Sequence, residues 1–245
     1  MIKYKYILIL LAISINVDAY SKLQIDLEAG PNFVGYNDVG IPGNTGTRFS
    51  LTDDLNTNTG FYYRARIGYT FSERHTVSFL YSPLLLKATG RANKNINFQG
   101  KTFNAGTDLT AEFKFNSYRL TYRYDFVKSK SWIFGLGFTA KIRDAYTSLE
   151  NSSGKEIKKN VGFVPLLNLY LQWNFLDDFS LLLEGDGLVA PQGRAEDFFL
   201  GLLYDINNNL TLKTGYRILE GGADNDNVYT FTLIHYIAVG VIIKI

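Results

Sequence analysis

The chain has 245 residues, a formal net charge of +2 and no cysteine, which excludes disulfide staples and thiol chemistry and leaves no footprint for nucleic acid. Hydrophobic residues make up 46% of it and aromatic residues 15%. Beyond the N-terminal leader no uninterrupted apolar stretch approaches the ~20 residues that a spanning helix needs, which excludes a helical membrane protein. The apolar residues are interleaved with polar ones, and no Pro/Ser-rich linker or helical repeat divides the chain.

In chain order, Lys3 and Lys5 precede an apolar stretch from Ile7 to Ile15, and Val17-Asp18-Ala19 offers a small-residue cleavage site. This is the pattern of a secretory signal peptide over 1–19, with the mature chain, 20–245, forming one domain. Alternating stretches then predict strands at Lys22 to Pro31, Gly60 to Phe71, His75 to Leu85, Thr110 to Phe126, Ser131 to Arg143, Val161 to Asn174, Phe179 to Val189, Glu196 to Ile206, Leu210 to Leu219 and Val228 to Ile245. The second of these carries the signal most clearly. In GFYYRARIGYTF the odd positions Phe61, Tyr63, Ala65, Ile67, Tyr69 and Phe71 are apolar or aromatic, while Arg64 and Arg66 fall on the other parity. Successive side chains of a strand point to opposite faces, so one face suits lipid and the other a polar interior.

Short polar turns (Ser72 to Arg74, Val127 to Lys130, Leu176 to Asp178, Asn207 to Asn209) alternate with longer stretches rich in Gly, Asn, Thr and Asp. That asymmetry predicts an all-β, antiparallel up-and-down transmembrane β-barrel of about ten strands, eight or twelve being the neighbouring even counts, with both ends on the periplasmic side. Phe71, Phe126, Trp132, Trp173, Phe175, Phe179 and Tyr204 flank the short turns and read as the periplasmic aromatic girdle. Pro31, Pro42, Pro83, Pro165 and Pro191 all fall in the expected outer loops or at outer strand ends, where a missing amide donor does least harm. A soluble periplasmic sandwich or lipocalin-like barrel also alternates, but it would carry an aliphatic interior with few charges.

The last strand places Ile237, Val239, Val241, Ile243 and Ile245 on one parity. It resembles the C-terminal insertion signal of bacterial outer-membrane β-barrel proteins, a likeness of class and of no single member. This chain ends on Ile245, where that pattern usually ends on Phe or Trp. The resemblance implies a Gram-negative cell envelope, outer-membrane lipid and lipopolysaccharide around the wall, and the barrel-assembly machinery as the partner in biogenesis.

Function is less legible. The polar parity assigns Arg64, Arg66, Arg119, Arg123, Lys141, Arg143, Glu184, Asp186, Asp197, Lys213 and Arg217 to the lumen, with bases gathered on the fourth and fifth strands and acids on the seventh and eighth. Such segregation would set up a transverse field that orients permeating solutes; the same residues could instead pair and fill a narrow barrel. The leading expectation is therefore a non-enzymatic barrel, either structural or a narrow porin-like solute pathway, without a cofactor. Two alternatives remain open. His235, near the outer membrane interface and close in sequence to Glu220, Asp224 and Asp226, could serve a lipid- or peptide-hydrolysing site, since outer-membrane lipid-modifying enzymes and omptin-like proteases keep histidines at that level; His235 lies on the lipid-facing parity. His75 sits at a short turn and reads as an interface residue. The long outer loops Gly35 to Thr59, Lys87 to Asp108 and Asp144 to Asn160 could instead act as an adhesin or receptor. The acidic stretch Glu220 to Asn227 reads as a solvated loop, with Asp224 and Asp226 as candidate oxygen donors to a hard cation, though without the spacing of an EF-hand.

Overall fold

A backbone crossing lipid has no water to bond its N–H and C=O groups, so strands can cross only if the sheet closes on itself. The computed structural model shows that closure. It describes residues 22–245; the signal peptide expected over 1–19 lies outside them. The strands are β1 (Lys22–Gly40), β2 (Phe49–Ser50), β3 (Asn56–Thr57), β4 (Gly60–Phe71), β5 (His75–Ser82), β6 (Leu85–Gly90), β7 (Ile96–Phe98), β8 (Lys101–Phe103), β9 (Leu109–Lys128), β10 (Trp132–Asn151), β11 (Gly154–Asn174), β12 (Phe179–Ala190), β13 (Gly193–Asn207), β14 (Leu210–Asn225) and β15 (Val228–Lys244). No helix occurs among the described residues.

Ten of these form an antiparallel ring in the order β1, β4, β5, β9, β10, β11, β12, β13, β14, β15 and back to β1. The seam between first and last strands runs from Gln24 opposite Lys244 to Gly40 opposite Tyr229. The expected strands all occur, and most run further outward than the apolar alternation reaches. β10 and β11 continue through the expected loop Asp144 to Asn160 as a tall hairpin that turns at Asn151 to Gly154. Glu220 to Asn225 is likewise strand and not loop, paired with β15 up to Asn225 opposite Val228. Pro31 and Pro165 consequently lie inside β1 and β11 and not at their ends. Pro83 does interrupt a wall strand: β5 stops before it, and β6 resumes the pairing with β9 from Leu85 opposite Lys114.

The exposed apolar band is the lipid face. On β10 the outward side chains Leu136, Phe138 and Ile142 are exposed above Trp132, and the rise from Trp132 to Ile142 on a strand tilted about 40° covers roughly 25 Å, the height of an outer-membrane apolar band. Next outward come charges: Asp144 on β10 pairs with Lys114 on β9 at 2.6 Å. At the opposite rim Trp132 stacks on Trp173 with centroids 5.6 Å apart, and Phe175, Phe179 and Tyr204 continue the aromatic run.

Above the outer rim the two long connections are not open loops. Ile41, Phe49, Leu51 and Leu55 from the first, and Ala92, Ile96, Phe98 and Phe103 from the second, are buried together against Leu86, Ala88, Leu109, Ala111 and Leu149 of the wall extensions. The apolar residues of these Gly/Asn-rich segments thus build a packed cap.

Candidate functional site

Inward parity and strand order determine which charges meet. β4 carries Arg64 and Arg66 inward, β1 carries Asp26 and Glu28, β9 carries Arg119, β12 carries Glu184 and Asp186, β13 carries Asp197, and β14 carries Lys213 and Arg217. All except Arg66 are buried, and Arg66 is partly so. Sequence parity missed Asp26 and Glu28, although Gln24, Asp26 and Glu28 alternate with Leu23, Ile25 and Leu27 just as clearly.

These five bases and five carboxylates form one connected network. Arg66 Nη1 meets Glu184 Oε2 at 2.7 Å, a bond between strands diametrically opposed in the ten-strand ring. Arg64 Nη1 reaches Asp197 Oδ2 at 2.8 Å. Arg119 donates to Asp186 at 2.7 Å and to Asp197 at 2.6 Å. Arg217 grips Glu28 through Nε at 2.7 Å and Nη2 at 2.8 Å, and Asp197 through Nη1 at 2.8 Å. Lys213 completes the network with Asp26 at 3.0 Å and Glu28 at 2.8 Å. Of the bases that the sequence placed on the fourth and fifth strands, Arg119 is in contact with acids of the opposite wall, whereas Arg123 pairs with Asp125 of its own strand and Lys141 and Arg143 lie outside the network.

Neutral groups satisfy the remaining lone pairs, as buried carboxylates require. Asp186 accepts from Thr139 at 2.7 Å and Asn168 at 2.9 Å, and Glu28 accepts from the Tyr62 hydroxyl at 3.0 Å. Phe199 lies between Lys213 and Arg217, 4.6 and 5.2 Å from its ring centroid. Gly201 and Gly215, opposite each other on β13 and β14, leave room for that ring: a Cβ on Gly201 would lie 2.3 Å from Phe199 Cζ. Bulk and charge together fill the lumen at mid-height.

Space remains on either side of this layer. A small cavity of about 70 Å³, bounded by Asp26, Arg66, Thr121, Arg123 and Glu184, lies on the side of the short turns. There Arg123 pairs with Asp125 at 2.8 Å and packs over Tyr170. An outer chamber of about 410 Å³ lies toward the cap, with Phe115, Lys141, Arg143, Lys158 and Leu219 on its walls.

The remaining candidates scatter. His235 lies on the outward face of β15, with Nδ1 bonded to the Tyr216 hydroxyl. Glu220 is held by Arg194 at 2.7 Å through two nitrogens and receives the Tyr36 hydroxyl. Asp224 lies 3.9 Å from Arg48, and Asp226 falls in the β14–β15 turn. No group of three His, Cys, Asp or Glu side chains converges among the described residues. His75 Nδ1 meets the Tyr122 hydroxyl at 2.8 Å, with its ring stacked on Phe71.

No protein-family model matches the chain, and no curated protein is similar to it. Solved structures are. The outer-membrane protease OmpT of Escherichia coli is similar with a TM-score of 0.50 and 11% identity over 91% of this chain and 97% of its own. An outer-membrane channel of Pseudomonas putida F1 gives a TM-score of 0.43 and 10% identity over 93% and 98%. Neisserial surface protein A gives 0.35 and 15% over 93% and 98%. At such identities the likeness is one of fold, that of outer-membrane β-barrel proteins.

Proposed function

We propose that this is a non-enzymatic, structural outer-membrane barrel whose lumen is sealed at mid-height by paired charges. The observation that carries the reading is the Arg66–Glu184 bond, which joins opposite walls directly at 2.7 Å. A permeating solute would have to separate buried ion pairs, at a cost of about 3–5 kcal/mol for each partner left alone. Balance adds to this: the layer holds as many bases as acids, so it offers no net charge to attract an ion.

The reading places the leader at 1–19 in export and lipopolysaccharide around the outer half of the wall. Exposed Lys159, above the apolar band, suits the phosphates of such a surface, while Lys155 is paired with Glu150 at 3.3 Å. A hydrolase shares the fold, but His235 is spent on Tyr216 at the lipid face, and the nearest acid of the proposed set, Glu220, is already held by Arg194. Substitution His235→Ala is expected to leave the barrel unaltered in folding and in any cellular phenotype.

Swelling of proteoliposomes carrying the refolded mature chain tests the proposal. Wild-type protein should admit arabinose no faster than empty liposomes, whereas Arg66→Ala combined with Glu184→Ala should admit it. Rapid swelling with the wild type would refute a sealed lumen.

A further inference from the structure

The outer chamber differs from the sealed layer in one respect: the bases on its β10 wall lack acidic partners. Lys141 is 2% exposed and makes no ion pair among the described residues; its ammonium lies 4.6 Å from the Phe115 ring centroid. The Arg143 Nε is buried with no hydrogen-bond partner, and only Nη2 is engaged, by Asn160. Lys158 adds a third base on the same wall. Glu220, the carboxylate on the far side, is neutralised by Arg194. A buried charge without a counter-charge is costly, and two on the wall of one chamber are the complement of an anion.

The wall beside this chamber is incomplete. β11 remains paired with β10 out to the hairpin turn, but its pairing with β12 stops at Leu167 opposite Gly187. Two residues further out stands Pro165, which has no amide hydrogen to offer a neighbouring strand. β12 itself ends at Ala190. The chamber is lined by β9, β10 and β11 on one side and by β13, β14 and β15 on the other, with no described residue of β12 between them. The apolar side chains flanking the seam are among the most exposed in the molecule, Val161 at 72%, Phe163 at 64% and Val189 at 70%. A volume of about 410 Å³ falls in the range of small-molecule sites.

We propose that the outer chamber binds an anionic amphiphile. Its phosphate or carboxylate head sits between Lys141 and Arg143, and its acyl chain leaves through the seam between β11 and β12 into the outer leaflet. This rests on the membrane-spanning reading of the wall and goes beyond the sealed lumen, since the chamber lies outside the ion-paired layer. Cationic side chains supply charge-assisted bonds to the head, and the exposed apolar flank supplies the surface for the tail.

The test is calorimetric titration of the refolded mature chain in a neutral maltoside detergent, with dodecyl phosphate, inorganic phosphate and dodecyltrimethylammonium as probes. Dodecyl phosphate should bind saturably, one per barrel. Arg143→Gln, at the chamber rim, and Lys141→Gln should each weaken it by about tenfold or more, the loss expected for one charge-assisted bond. Heat-modifiable gel mobility confirms that each variant is folded, and Arg143→Gln serves as the decisive variant if Lys141→Gln does not fold. Three outcomes overturn the proposal: inorganic phosphate binding as tightly as dodecyl phosphate, which marks a free-anion site without a tail path; equal binding of the cationic amphiphile, which marks detergent partition; or no binding at all. Conductance of the same samples separates the two readings, since a conducting barrel that binds dodecyl phosphate overturns only the sealed lumen, and a silent barrel that does not bind it overturns only this site.

Discussion

Mid-lumen and outer chamber are built from the same kinds of side chain, a few residues apart along the same strands, and they do opposite things. Arg119 and Lys141 face each other on β9 and β10 as a register pair, and both are 2% exposed. Arg119 is bonded to two aspartates, whereas Lys141 has an aromatic ring and an open volume. Burial alone therefore does not tell a structural charge from a candidate binding charge; the partner does. Where every base meets an acid the interior is filled, and where bases are left over a chamber remains.

Substitution can break that contrast from either side. The largest effect belongs to Asp197→Ala, because Arg64, Arg119 and Arg217 all converge on that carboxylate. The loss should be about 3–5 kcal/mol, read as a lower denaturant midpoint for the change in heat-modifiable mobility. Phe98→Ala, in the cap, should cost roughly 3–5 kcal/mol locally, since its ring is fully buried against Phe49. Here the expected readout is faster proteolysis between residues 83 and 108 with the barrel midpoint unchanged. Lys141→Met should go the other way and raise the midpoint by about 1–3 kcal/mol, because it removes an unpaired buried cation and keeps its bulk. A fall on Lys141→Met as large as that of Asp197→Ala would erase the distinction between the two regions.

The smallest effect lies outside the membrane altogether. A hydrogen bond from Arg91 holds the Asp108 carboxyl below its ordinary value of 3.8. A depressed carboxylate stabilises the folded state above the unfolded pKa and loses that contribution as pH falls through the folded one. Arg91→Gln should therefore bring the Asp108 titration, followed by NMR, back toward 3.8, with Asp108 still ionised at neutral pH and the small stabilisation present there lost. This exposed pair is the counterpoint to the buried network: similar distances, such as 3.0 Å between Arg91 Nη2 and Asp108 Oδ2, with little consequence for the fold.

The barrel was legible because lipid on one side and a polar interior on the other impose a period of two, as in Gly60 to Phe71. That period loses its apolar half where the strands rise above the membrane. Asp144 to Asn160 therefore reads as a loop, although backbone pairing continues to Asn151 opposite Gly154. The cap was illegible for a related reason: Ile41, Phe49, Phe98 and Phe103 come together through contacts between distant segments, with no local repeat to announce them. Parity sorts charges by the face of a strand and leaves open which of them meet. Those partners depend on strand tilt and ring closure, which bring Arg66 of β4 to Glu184 of β12 across the lumen. Asp26 and Glu28 were within reach of the same parity argument, whereas the unpaired state of Lys141 becomes visible only once the acids have been assigned to other bases.

The most direct test is single-channel conductance of the refolded mature chain in a planar bilayer, recorded beside the Arg66→Ala, Glu184→Ala double variant. A sealed mid-lumen predicts a silent wild type and discrete conductance steps in the variant. Discrete steps from the wild type would contradict the account, because they require a continuous path through the layer that these ion pairs close.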